Sequence, residues 1–344
     1  MGNKLAKCDG FVNPVHDLNS AKPSTTAYDG AKMSPTEESR MPPTANIDMT
    51  SRYAKLFEYN PGTVDDFHKK CKEVFPICFD GGKFMVQKGL SNHFQISHTV
   101  SLSPTLTGYR FGATYVGSSM FGPQEAFPVL LGDTDLSGNL TATAIHQLND
   151  RLRLKAAAQI QKGKFAGAQL TTDYRFLAAT ASMTIANLDL VNESGIVVGS
   201  YLRKITKSID LGIELVYQYS RQIPGGQLSN LSYLGKYTGR NFVTSAAVGK
   251  NQLHFCYYHK QDENVQFGVE WETNFRMGDS TATFGYQLDI PKTGVTFKAS
   301  IDTNWTVGST LEKKLTPLPF TLALSGMLNH VKHQSRFGVG LILG

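Results

Sequence analysis

The chain reads as all-β, a transmembrane β-barrel of about 19 strands, and three observations carry that reading. From Lys83 onward apolar and polar residues alternate with a period of two in nearly every segment, as a strand with two unlike faces requires. The segments run for about 9–12 residues between Gly, Asn, Asp or Pro, long enough to cross a bilayer when tilted. No helical stretch interrupts them, which argues against βαβ units and for an antiparallel meander. With 32 Gly, 20 Phe and 14 Tyr in 344 residues, the composition favours the same β-rich, turn-rich class.

Taken in order, residues 1–60 carry Pro14, Pro23, Pro35, Pro42 and Pro43 among Ser, Thr and Asn with few large apolar side chains. That composition predicts a disordered tail. An amphipathic helix is expected over residues 61–76. Thr63 stands at its N-cap, Asp65 and Asp66 complement the dipole, and Pro76 stops it. Val64, Phe67, Cys71 and Val74 form its apolar side. The pattern fits equally a helix packed on a surface or one lying inside a barrel.

The barrel occupies residues 83–344. Its clearest strand is Val265 to Arg276, where Val265, Phe267, Val269, Trp271, Thr273 and Phe275 oppose Gln266, Gly268, Glu270, Glu272, Asn274 and Arg276. Similar alternation marks 151–160, 209–218 and 295–302. The count is 18 or 19, depending on whether Lys83–Leu90 and His93–Ser103 form one strand or a hairpin turning at Ser91-Asn92. In the last segment Phe337, Val339, Leu341 and Leu343 alternate with Arg336, Gly338, Gly340 and Ile342. Such a strand at the chain's end would present an open edge unless the sheet closes on itself. A barrel this wide cannot fill its interior with side chains, so a polar inner wall meets water and an apolar outer wall meets lipid. A soluble β-rich binding protein would need a second apolar layer over Phe267, Trp271 and Phe275, and no blade repeat is present.

Several functions are disfavoured. A net charge of +6 without a Lys/Arg cluster interleaved with aromatics gives no nucleic-acid signature. The polar opening Met1-Gly2-Asn3-Lys4 lacks the apolar core of a secretory signal, which predicts synthesis in the cytosol. Cys8, Cys71, Cys78 and Cys256 have no C-x-x-C or zinc spacing, so free thiols are expected and neither metal nor cofactor. No G-x-S-x-G, P-loop, dinucleotide or H-E-x-x-H pattern points to an enzyme.

Specific blocks now narrow the reading. Lys88-Gly89-Leu90-Ser91-Asn92-His93-Phe94-Gln95 and Tyr109-Arg110-Phe111-Gly112-Ala113-Thr114-Tyr115-Val116-Gly117 closely resemble the pore-forming subunits of the translocase of the outer mitochondrial membrane. So do Glu125-Ala126-Phe127-Pro128-Val129-Leu130, Phe284-Gly285-Tyr286-Gln287-Leu288-Asp289, and Leu311-Glu312-Lys313-Lys314-Leu315 with Pro317-Leu318-Pro319. The resemblance runs from about Pro61 to Gly344. It implies the fold of the mitochondrial porins, with nineteen strands, the first and last parallel, and the helix inside the pore. It further implies passage of unfolded precursor proteins across the outer mitochondrial membrane. The implied partners are small helical receptor and accessory subunits, membrane lipid and further copies of the chain. A metabolite or ion channel of the voltage-dependent anion channel type is the alternative on the same fold.

Mitochondrial targeting segments are basic and amphipathic, so a translocating pore should offer acids. Alternation turns Asp210, Glu214, Glu270, Glu272, Asp289, Asp302 and Glu312 toward the lumen, with Arg110, Arg151, Arg153, Lys155, Arg175, Arg276 and Lys298 as basic counterparts. His98 interrupts an outward apolar face and is a candidate partner contact. The last strand also resembles the sorting signal of mitochondrial barrels, with Arg336, Gly338, Leu341 and Leu343 at the defining positions.

Overall fold

The computed structural model describes residues 60–104, 107–120, 126–189, 194–221 and 225–344. Of the expected tail, residues 1–60, all but Asn60 lie outside them, Cys8 included. Nineteen strands form one closed sheet. They are β1 (Gly81–Gly89), β2 (Phe94–Leu102), β3 (Gly108–Met120), β4 (Ala126–Asp135), β5 (Leu140–Gln147), β6 (Leu152–Gln161), β7 (Lys164–Arg175), β8 (Ala179–Asp189), β9 (Ser194–Thr206) and β10 (Ile209–Tyr219). The circuit continues through β11 (Gln227–Thr238), β12 (Phe242–Gly249), β13 (Gln252–Lys260), β14 (Val265–Asn274), β15 (Asp279–Ile290), β16 (Val295–Asp302), β17 (Thr306–Leu315), β18 (Phe320–Asn329) and β19 (Gln334–Leu343).

Each strand pairs antiparallel with the next, so the meander expected from the alternation is present. Closure is parallel: Gly81 of β1 lies beside Gly338 of β19 and Val86 beside Leu343. Both edges of the terminal strand are thereby paired, since β18 takes its other side, which removes the open edge the sequence posed. Ser91 and Asn92 do form a turn, so β1 and β2 are a hairpin and the count is nineteen.

Two boundaries differ from expectation. The strand written as Val265–Arg276 ends at Asn274, whose side-chain oxygen accepts the amides of Arg276 and Met277 while Gly278 adopts φ 71°. Only a residue tolerant of the left-handed region fits there. Arg151 sits in the β5–β6 turn, closed by the Leu152 amide donating to Asn149. Arg151 and Arg276 are therefore turn residues and not members of the wall, contrary to the sequence expectation.

The predicted helix is broken. A 3-10 turn spans Val64–Asp66 and a single α turn, α1, spans Lys69–Lys72. Between them His68 stands at φ −102°, ψ 1°, outside helical geometry, with its ring turned to the wall. Thr63 makes no capping bond to the backbone; its hydroxyl donates to Asp66 Oδ2 at 2.9 Å. Burial pushes the Asp66 carboxyl up, but the bond from Lys69 at 3.0 Å, with the Thr63 bond, outweighs it and holds Asp66 below its usual range.

The outward face is apolar: Leu211, Ile213 and Leu215 on β10 are each 47% exposed, and Phe337 on β19 is 73% exposed. Near one edge Tyr237, Phe242, Tyr257 and His259 follow one another with centroids 5.6–6.3 Å apart across β11, β12 and β13. Aromatic rows of this kind suit the bilayer interface.

Candidate functional site

The site is the inner wall and the segment that crosses it, residues 60–79. Asn60 begins at the β7–β8 turn, donating to Phe176 O at 3.1 Å and accepting from Thr180 Oγ1 at 2.8 Å. Phe67 then packs on Leu202 of β9 and Leu234 of β11. Those two leucines face each other across Gly212 of β10. His68 Nδ1 lies 2.8 Å from Ser245 Oγ on β12, and Cys71 donates to the carbonyls of Tyr257 and Val269 on β13 and β14. The Phe79 amide ends the path by donating to Ser325 Oγ on β18 at 2.9 Å. These contacts fall in chain order on inward positions of strands from β8 to β19, so the segment lies along the inner wall.

The wall is cut away beneath this belt. A Cβ added at Gly268 would stand 3.4 Å from Val74 Cβ and Cys71 Sγ. One at Gly285 would be 2.6 Å from the Phe75 ring, one at Gly308 2.9 Å from Cys78 Sγ, and one at Gly338 2.7 Å from the Phe79 ring. Inward glycines on β14, β15, β17 and β19 thus form a groove that seats the belt. Sequence reasoning places Gly268 and Gly338 on the polar faces of their strands but misses the groove that they form with Gly285 and Gly308. Cys71 and Val74 are buried with Phe67, while Val64 packs beside that cluster partly covered.

The acids fall into rows. Glu270 lies across from Thr283 and Thr283 across from Asp302, one row spanning β14 to β16. Asp289, Thr296 and Glu312 make a second row spanning β15 to β17. Successive strands are about 4.8 Å apart, so the two acids of each row stand about 10 Å from one another. Phe75, seated on Gly285 between Thr283 and Gln287, carries the belt between the two rows. Glu270 forms an ion pair with Lys72 at 3.6 Å and contacts His254 Nε2 at 2.7 Å; Glu272, next along the same face, is 3.4 Å from that nitrogen and 58% exposed. Asp302 also has a local task, taking the Thr306 amide at 2.8 Å to close the β16–β17 turn. Asp289 accepts from Gln287 Nε2 at 2.8 Å.

Elsewhere charges are balanced across the ladder. Arg110 of β3 opposes Asp135 of β4, Arg153 of β6 opposes Asp173 of β7, and Asp210 lies between Lys204 and Lys236. Glu214 follows Asp210 two places on along the inward face. Lys155 reaches Asp65 of the belt at 3.7 Å, and Lys298 donates to the Glu73 carbonyl at 2.6 Å. Arg175 ends β7 opposite Thr180. Asp135 and Asp173, opposite Arg110 and Arg153, are absent from the acids expected in the lumen, although period-two alternation with Asp133 and Thr171 marks their inward face.

His98 is outward on β2, with Nδ1 2.5 Å from the Tyr109 hydroxyl and its ring 5.2 Å from Phe111. Arg336, Gly338, Leu341 and Leu343 all lie in β19. Gly338 is buried under Phe79, while Leu341 and Leu343 stand on the opposite face.

The profile of the eukaryotic porins matches residues 60–338. A protein of Caenorhabditis elegans described as "Mitochondrial import receptor subunit TOM40 homolog" is 56% identical over 286 residues, covering 83% of this chain and 95% of its own. The Xenopus laevis protein of the same description is 46% identical over 350 residues, covering both chains completely, and the human one is 50% identical over 286 residues, covering 83% and 78%. A closed nineteen-strand barrel with parallel closure, matched along most of its length to these sequences, belongs to the eukaryotic porin family, among the relatives of the TOM40 import receptor subunits.

Proposed function

We propose that this barrel is the protein-conducting channel through which unfolded mitochondrial precursors cross the outer mitochondrial membrane, where it resides as an integral multi-pass β-barrel. The observation that carries the reading is the pair of acidic rows on β14–β17 flanking the belt, in a chain whose relatives are named as import receptor subunits. A presequence is basic, and grouped acids on a low-dielectric wall focus their field on a passing cationic chain. The balanced pairs on β3–β11 contribute little net field, which leaves the acids of β14–β17 to set the preference. An anion channel would need the opposite sign.

The family is one of channels, and catalysis has no part in the proposal. The precursor touches the wall and the belt, small helical receptor and accessory subunits and further copies of the barrel adjoin the lipid-facing side, and nucleic acid takes no part. His98 marks one candidate contact, near the β1–β19 seam.

Purified full-length chain in planar bilayers tests this. A basic presequence peptide should block the open channel transiently and in a voltage-dependent way, while a neutral peptide of equal length should not. Anion preference with no presequence block would favour the metabolite channel.

A further inference from the structure

Where the belt meets β13 and β14, nitrogen, sulfur and oxygen donors converge in a way that conduction does not require. Coordinating atoms of His68, His254 and Cys256 all lie within 4.8 Å of one another. Cys256 Sγ is 3.3 Å from His254 Nε2, and Glu270 Oε1 is 2.7 Å from that nitrogen and 3.9 Å from the sulfur. Tetrahedral zinc, with bonds of about 2.3 Å to sulfur and about 2.0–2.1 Å to nitrogen or oxygen, places neighbouring ligand atoms roughly 3.3–3.6 Å apart. The spacings among His254, Cys256 and Glu270, 2.7–3.9 Å, bracket those values, and the ring of His68, within 4.8 Å of His254 and Cys256, completes the set by turning toward them.

Two imidazoles, one thiolate and one carboxylate form a borderline-soft set that suits Zn²⁺ better than Mg²⁺ or Ca²⁺. An outer partner is in place: Ser245 Oγ orients the His68 ring from 2.8 Å. Cys256 is buried at 1% exposure while Glu272, at the lumen edge beside His254, is 58% exposed and gives an ion its way in. We propose that His68, His254, Cys256 and Glu270 bind a Zn²⁺ ion that fastens the belt to the wall. One ligand comes from the belt and three from the barrel, so the ion ties one to the other. On binding, the Cys256 thiol and the Nε2–H that His254 gives to Glu270 release their protons to water as the zinc–sulfur and zinc–nitrogen bonds form, with His254 carrying its remaining proton on Nδ1, and Lys72 leaves Glu270.

The chemistry is tested on the folded full-length chain in detergent, stripped with chelator and titrated with Zn²⁺, and with Co²⁺ as an optical probe. The proposal expects one metal per chain and a thiolate-to-cobalt charge-transfer band. His68→Ala should weaken binding by at least about tenfold, and Cys256→Ser should abolish the charge-transfer band. Cys78→Ser, with its thiol elsewhere on the belt, should retain both metal and band. Strand content by circular dichroism checks that each variant is folded. Absence of stoichiometric metal on the folded wild-type chain, or binding unchanged in both His68→Ala and Cys256→Ser, would overturn it.

Discussion

The ammonium of Lys298 on β16 lies 2.6 Å from the main-chain carbonyl of Glu73, holding the C-terminal end of the belt's helical stretch against the wall. A charged donor on a helix-end carbonyl satisfies a group that the helix leaves unpaired. Such a bond contributes about 1.5–3 kcal/mol. Lys298→Met should therefore loosen the belt without unfolding the barrel. The check is the rate at which a bulky maleimide labels Cys71 in liposomes, expected to rise about tenfold or more.

The glycine groove makes a stronger demand. Gly285→Leu puts a side chain where Phe75 lies, 2.6 Å from the first added carbon, while Gly268 is the floor beneath Cys71 of α1. The variant should expel the belt, as deletion of residues 60–79 does outright. Both should raise single-channel conductance, and equal conductance in all three forms would mean that the belt does not narrow the pore.

Neutralising Glu270, Glu272, Asp289 and Asp302 to the corresponding amides should lower cation preference, read as a shift in reversal potential across a salt gradient. Asp302→Asn keeps an oxygen for the Thr306 amide, so the turn survives the substitution. Presequence import should slow in parallel; unchanged selectivity and import would remove these acids from the path.

Much of the fold was legible because a two-sided strand writes its environment every second residue. The alternation around Glu270 and Glu272 identified their shared face, and the apolar end of β19 required closure. The parallel seam came from the family resemblance, since no pattern in Gly81–Gly89 says which neighbour it takes. The belt's break at His68 was not legible because the amphipathic spacing of Phe67, Cys71 and Val74 persists through it; the ring's bond to Ser245 is a contact between residues far apart in sequence. For the same reason the donors of the proposed zinc site carry no spacing motif, with His68 on the belt and His254 and Cys256 on β13.

The sorting signal proposed for β19 needs a test that spares Gly338, since any side chain there meets Phe79. Leu341→Ser with Leu343→Ser alters only the opposite face. Synthesis should continue while membrane assembly, followed by resistance to carbonate extraction, fails. Normal assembly would leave β19 with its closing role alone.

At His98 the Tyr109 hydroxyl already gives the imidazole a polar neighbour on the lipid face. A photoreactive residue at position 98 should capture a protein if this is a subunit contact. Capture of lipid alone would assign the pair to the bilayer interface.

The central claim meets its most direct test in mitochondria depleted of this protein, given labelled presequence and carrier precursors. The account predicts that both classes stay protease-accessible outside and that the full-length chain restores their entry. Entry of both at the normal rate in depleted mitochondria, with only small-solute permeability reduced, would contradict it.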